Sequence, residues 1–190
     1  MSPIPVDAAT ECLAAAVPSP HFSFLIPQFS FVLKCVTATD TTLLRSAIAI
    51  AARARANGNH PFGALLADSA GKVLLESENT VITGSDVTGH AETNLMREAG
   101  RRFTADQLAT CTLYTSTEPC PMCAGAIFWG NVGRVVYGLG QDGLYALTGE
   151  SPYALKLSCR KVLSHGTHPI EVLGPALEPE AATVHEGFWR

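Results

Sequence analysis

The sequence predicts an α/β domain in which a mixed sheet is covered by helices on both faces. One observation is the order of its periodic segments, α-β-β-α-β-α-β with further elements behind, which places helices on two sides of a set of strands. Another is composition. Of the 190 residues, 47% are hydrophobic and 16% charged, enough apolar surface for a sizeable core and too little charge for a disordered chain. The third is continuity, since no internal repeat or flexible linker interrupts the chain after residue 40. The low charge also fits a surface partly hidden in an oligomer.

Residues 1–36 read as an N-terminal extension of unknown role, and 37–190 as the folded domain. In the extension Pro3, Pro5, Pro18, Pro20 and Pro27 prevent any sustained period. Phe22 to Val36 is apolar but broken by Pro27, with neither a basic region nor an A-x-A pattern to mark a secretory signal. No run reaches the ~18 apolar residues of a membrane helix, so no membrane partner is expected.

In the domain, Thr39 or Asp40 caps a helix over 41–57, with Leu43, Leu44, Ala47, Ile48, Ile50 and Ala51 as its apolar face. Arg53 and Arg55 suit its last turns and Gly58 its stop. Phe62 to Asp68 and Val73 to Glu78 are strands joined by the turn Ser69-Ala70-Gly71-Lys72. Thr88 and Gly89 lead into a helix near 90–101. Cys111 to Ser116 is a short buried strand, a helix follows at about 121–130, and Arg134 to Gly138 is the next strand. A loop or short helix covers 141–160. Ile170 to Leu173 makes a last strand and Pro179 to Trp189 a last helix, with Pro179 in its first turn.

Two of the six cysteines, Cys120 and Cys123, form a C-x-x-C pair, which points to metal or redox chemistry in a reducing compartment and so to a cytoplasmic protein. Cys12, Cys35, Cys111 and Cys159 read as buried thiols, and His21, His60, His165 and His168 as surface or loop residues. The chemistry concentrates in His90-Ala91-Glu92 and Glu118-Pro119-Cys120-Pro121-Met122-Cys123. Cysteines three apart at a helix start can turn both thiolates to one ion. One histidine and two cysteines leave a fourth position for water, the arrangement of a catalytic zinc site. Both segments fall at expected helix N-termini, whose positive ends favour thiolates. Zinc lowers the pKa of a water towards ~7, and Glu92, two residues from a ligand, can carry the released proton to a substrate nitrogen. Alone, C-x-x-C also serves redox pairs and structural zinc sites, and H-x-E occurs by chance. H-A-E followed by P-C-x-x-C, with 29 residues between His90 and Cys120, is the signature of zinc deaminases.

These motifs, with HPFGALLAD, the Asn79-to-Glu92 segment, TLYTSTEPCPMCAGAIFWG and VVYG, resemble the cytidine-deaminase-like superfamily over about residues 40–150. The branch is that of guanine deaminases and tRNA adenosine deaminases. The resemblance implies a three-layer α/β/α sandwich around a five-stranded mixed sheet, zinc on His90, Cys120 and Cys123, Glu92 as proton shuttle, and a homodimer. Pro121 within T-S-T-E-P-C-P-M-C looks more like the guanine deaminases. The basic segment of the tRNA enzymes is replaced by Gly138-Leu139-Gly140-Gln141-Asp142-Gly143-Leu144. The net charge of −4 argues further against a nucleic-acid partner.

The expected activity is therefore conversion of guanine to xanthine and ammonia. Alternatives are a tRNA adenosine deaminase, or a deaminase of cytosine, guanosine or ammeline. A non-catalytic zinc or redox module is the other class, and Glu92 argues against it. By the same resemblance Asn79, eleven residues before His90, reads the base, and Phe62, Gly63 and Ala64 line the pocket, with Gly63 allowing close approach of substrate. Glu150 is the candidate for the exocyclic amine, with Asp142 its rival and a solvated loop charge the plain alternative. Phe188 and Trp189, with His185, form either an aromatic lid or a helix packed on the sheet. Trp129 lines the pocket or a dimer interface.

Overall fold

A computed structural model describes residues 35–149, 152 and 154–189. All but the last two residues of the 1–36 extension, and Glu150, lie outside them. The first helix, α1 (Ala38–Ala56), starts one turn earlier than the sequence suggested, because Thr37 is its N-cap. The Thr37 hydroxyl accepts from Asp40 N and the Asp40 carboxylate accepts from Thr37 N, a capping box that satisfies two donors at once. The strands β1 (Gly63–Ala67) and β2 (Val73–Glu78) follow as a hairpin. After them come α2 (Val81–Gly84), α3 (Ala91–Arg102) and α4 (Ala105–Ala109). The short α2 and α4 were not expected. The capping box of α4, Thr104 with Gln107, was legible in the sequence, whereas Thr80, the N-cap of α2, makes no side-chain capping bond.

The chain then runs through β3 (Thr112–Thr117), α5 (Pro121–Trp129) and β4 (Arg134–Leu139). The segment read as one loop or helix holds two helices, α6 (Gln141–Thr148) and α7 (Cys159–Leu163). Last are β5 (Glu171–Leu173) and α8 (Glu178–Thr183). α8 ends six residues before Trp189, and the chain beyond it turns back at 184–188.

The five strands lie in the order β2-β1-β3-β4-β5. β1 is antiparallel to β2 and β3, while β3–β4 and β4–β5 are parallel. Alternation along each strand sorts its side chains between two layers. Leu65, Ala67, Tyr114 and Val136 pack on Leu43, Leu44, Ala47 and Ile50 of α1. Ala64, Leu66, Leu113 and Val135 pack on Leu95 and Met96 of α3 and Ile127 of α5. The α/β/α sandwich with a five-stranded mixed sheet is thus as expected.

One buried ion pair ties the layers at the end of the sheet where β3 and β4 begin. Arg134 donates twice to Asp40, at 2.6 and 2.9 Å, and the Tyr114 hydroxyl donates to the same carboxylate at 2.7 Å. Burial raises the pKa of Asp40, but Arg134, Thr37 and Tyr114 outweigh it and hold the carboxyl well below its ordinary range. Burial, then Asp40, pushes Tyr114 up to about 12. Cys111 and Cys159 are buried thiols, as read. Cys35 is exposed and disulfide-bonded, and Cys12 lies outside the described residues. No helix among them is long and apolar enough to cross a membrane.

Candidate active site

The two motifs meet where β3 ends. His90 is the N-cap of α3, Cys120 the N-cap of α5, and Cys123 lies in the first turn of α5. Each helix presents unpaired backbone N–H groups to this point, which favours negative charge. Pro121 at the start of α5 is preset for a helix and gives up no hydrogen bond there.

His90 Nδ1 lies 3.6 Å from each sulfur, and the sulfurs lie 3.6 Å from one another. Ligand atoms about 2.1–2.3 Å from zinc at tetrahedral angles stand roughly 3.5–3.8 Å apart. The triad therefore fits zinc by spacing as well as by donor type. With Nδ1 turned to the metal, the imidazole proton sits on Nε2. Hydrogen bonding from Cys123 pulls Cys120 down to about 4, with burial opposing and His90 assisting. The same bond, and then burial, pushes Cys123 up. The pair carries one negative charge readily and a second only beside a cation, which is the demand a divalent ion meets. The Thr93 hydroxyl lies 3.3 Å from Cys123 Sγ.

Glu92 is 5% exposed, in the first turn of α3. Burial raises its pKa, and the Thr115 hydroxyl, 2.7 Å from Oε1, opposes the rise. Thr115 and Thr117 are two apart on β3 and so share a face. Thr115 Oγ1 also lies 3.1 Å from the Thr117 carbonyl. A hydroxyl so placed can donate to ionised Glu92, or accept from protonated Glu92 and donate to that carbonyl. Neither Thr115 nor Thr93 was singled out from sequence; their period-two and helix-start positions were the available signals.

Asn79 is fully buried. Its Oδ1 accepts from Val81 N at 3.1 Å, while its Nδ2 has no partner. Its backbone N–H donates to the Phe62 carbonyl, which sets it beside the residues before β1. There Phe62 joins His60, His185, Phe188 and Trp189 in an aromatic cluster, with neighbouring ring centroids 4.8–6.5 Å apart. Burial, and then the charge of His90, holds His60 below its ordinary pKa, so His60 belongs to the site's surroundings and not to a plain surface loop.

Other expected residues have structural settings of their own. A Cβ on Gly63 would lie 2.4 Å from Ala51 N and 2.6 Å from Ala47 O. Gly63 is required by α1 crossing β1 closely, and the Ala64 side chain faces the core, which leaves the backbone of this strand for the expected pocket lining. Trp129 ends α5, 85% exposed, with its ring edge-on to Phe128, a setting that leaves the interface of the two expected alternatives. Nine residues beyond Cys120 place it about half a revolution around and ~13 Å along the helix. Asp142 is exposed in the first turn of α6. Glu118, quoted within its motif but with no role read for it, has a carboxylate that accepts from Gln141 N and Cys159 N, capping α6 and α7 from the residue two before Cys120.

Comparison with known proteins places these features in a family context. Residues 37–139 match the cytidine and deoxycytidylate deaminase zinc-binding region. A probable cytosine deaminase of Schizosaccharomyces pombe is 45% identical over 153 residues, 79% of this chain and 92% of that one. The guanine deaminase of Bacillus subtilis is 42% identical over 50% of this chain and 62% of its own length. A tRNA-specific adenosine deaminase of Haemophilus influenzae is 39% identical over 52% of this chain and 57% of its own. Among solved structures, a guanine deaminase from Nitrosomonas europaea has the same fold, with TM-score 0.65 and 21% identity over 81% of this chain and 85% of that one.

Proposed function

The chain belongs to the cytidine and deoxycytidylate deaminase zinc-binding family, and from that premise we propose that it deaminates a free nucleobase carrying a ring carbonyl, with guanine to xanthine and ammonia as the first reading. His90 Nδ1, Cys120 and Cys123 hold the zinc, and Glu92 is the proton shuttle. Zinc supplies a Lewis acid that makes water a nucleophile at neutral pH. Glu92 takes the proton of that water and hands protons to the ring nitrogen and then to the departing amine, so that base–NH2 and water become base=O and ammonia. Thr115 keeps the Glu92 carboxyl oriented in both protonation states.

The observation that carries the substrate class is the buried, unpartnered Nδ2 of Asn79. Val81 N already donates to Oδ1, so the open group of Asn79 is a donor, which a base meets with a carbonyl oxygen or an unprotonated ring nitrogen. An unmet buried donor costs about 1–3 kcal/mol, which such a base recovers. Guanine and cytosine offer a carbonyl oxygen as well as ring nitrogens, and adenine ring nitrogens alone, so the preference for an oxo base rests on the cysteine motif and the relatives beside Asn79. Pro121 within the cysteine motif supports guanine. Cytosine to uracil is the second reading, supported by the 45% identity that spans 92% of the fission-yeast relative. Phe62, Phe188 and Trp189 cover the base. The deaminase domain is residues 37–190, working as a homodimer.

Purified, zinc-loaded protein offered guanine, cytosine, guanosine, adenine, ammeline and an anticodon stem-loop tests this by ammonia release. Turnover of guanine or cytosine is expected. Turnover of the stem-loop or adenine alone overturns the substrate class.

A further inference from the structure

His185 is 1% exposed, yet it sits just past α8 in a turn only four residues from Trp189. Both of its ring nitrogens have polar neighbours. Trp189 Nε1–H donates to His185 Nδ1 at 3.2 Å, and Nε2 faces the Thr117 hydroxyl of β3 at 3.4 Å. The neutral Nε2–H tautomer serves both neighbours at once. The two rings lie nearly parallel, at 15° and 6.1 Å between centroids. A second tie comes from α1, where Arg55 donates to the Val184 carbonyl at 2.8 Å and stands 5.7 Å from the centre of the Phe188 ring. Trp189 in turn reaches the His60 and Phe62 rings, at 5.4 and 6.0 Å. A turn with few residues of its own to bury is thereby tied to the sheet through one imidazole.

Thr117 is three residues before Cys120, and Thr115, on the same face of β3, bonds Glu92. The imidazole therefore joins the strand end that carries the chemistry to the aromatic wall above it. In the proposed reaction the amine-bearing carbon of the base faces the zinc ligands, and the ring nitrogen that bears sugar in a nucleoside is turned away from them.

We propose that His185 is a positioning residue that latches Trp189 across the mouth of the site and so sets the preference for a free base over its nucleoside. This deepens the free-base reading and rests on it. On this proposal a held indole crowds a ribose on the outer ring nitrogen more than it crowds a hydrogen. A released indole leaves room for both and covers neither well.

The test uses a Trp129→Phe background, which leaves Trp189 as the only tryptophan. In that background His185→Phe keeps the ring and removes both polar contacts, His185→Gln keeps an acceptor and a donor, and Thr117→Val removes the anchor while leaving His185 in place. Trp189 emission and its acrylamide quenching read the latch without turnover. KM, kcat and the base-to-nucleoside ratio of kcat/KM read its consequence. The expected results for His185→Phe and Thr117→Val are a red-shifted Trp189, quenching at least doubled, KM for the base raised more than kcat is lowered, and the ratio reduced at least fivefold. His185→Gln recovers most of each. Unchanged quenching and an unchanged ratio in folded Thr117→Val and His185→Phe proteins overturn the proposal. If no free base is turned over by the parent protein, the substrate reading fails, while the latch is still decided by quenching.

Discussion

Thr115→Val removes one hydroxyl, keeps the side-chain volume, and touches none of the three zinc ligands by hydrogen bond. The hydroxyl lies 2.7 Å from Glu92 Oε1, with Thr115 fully buried and Glu92 5% exposed. A hydrogen bond to a charged group contributes about 1.5–3 kcal/mol. If that orientation is needed as Glu92 moves its proton, the loss in kcat/KM is about 10- to 150-fold. The assay is ammonia release from the preferred base, with bound zinc measured on the same samples. Zinc content should hold at the parent level, and Thr115→Ser should recover most of the rate. A Thr115→Val protein that keeps its zinc and stays within twofold of the parent refutes the assignment of Thr115 to Glu92.

The remaining expectations concern stability and pH. Asp40→Asn breaks a buried ion pair from one side and leaves Arg134 inside with one carboxylate fewer. Such losses cost about 3–5 kcal/mol, roughly 9–15 °C in Tm for a domain of this size, read by calorimetry. Gly63→Ala drives a Cβ into the backbone of α1 and should lower Tm by several degrees or prevent folding, with no selective effect on KM in what folds. Burial, with Arg55 nearby, lowers the His185 pKa from 6.5 to about 4. Between these values an unlatched imidazole binds a proton that the latched one does not. The latch is therefore fully stable above about pH 6.5 and is lost as pH falls towards about 4. His60 titrates in the same cluster and Arg55 adjoins it, so the test is a comparison. Trp189 quenching in the Trp129→Phe protein should rise across that window and stay flat from pH 7 to 9, and His185→Gln should lack the rise.

The ligand set was legible because it is local: His90 and Cys120 each sit at a helix start, and short motifs carry their own geometry. The core strands and α1 were legible from their periods. What could not be read depends on which elements pass close to one another. Gly63 is fixed by α1 lying against it, a contact between residues twelve or more apart with no mark on either. Thr115 meets Glu92 only because β3 lies beside the start of α3. Trp129 looked near Cys123 along the chain, but helical rise and rotation carry it away. The final helix was read through to Trp189 because Pro179 marks a start, while the reversal at 184–188 depends on His185 finding Thr117 across the fold.

The most direct measurement is ammonia release by Glu92→Gln beside the parent, with zinc quantified in both. A shuttle of this kind contributes about 10²- to 10⁴-fold. The expected result is loss of turnover on that scale with one zinc per chain retained. Undiminished release, or loss that merely follows the loss of zinc, contradicts Glu92 as the group that moves the proton.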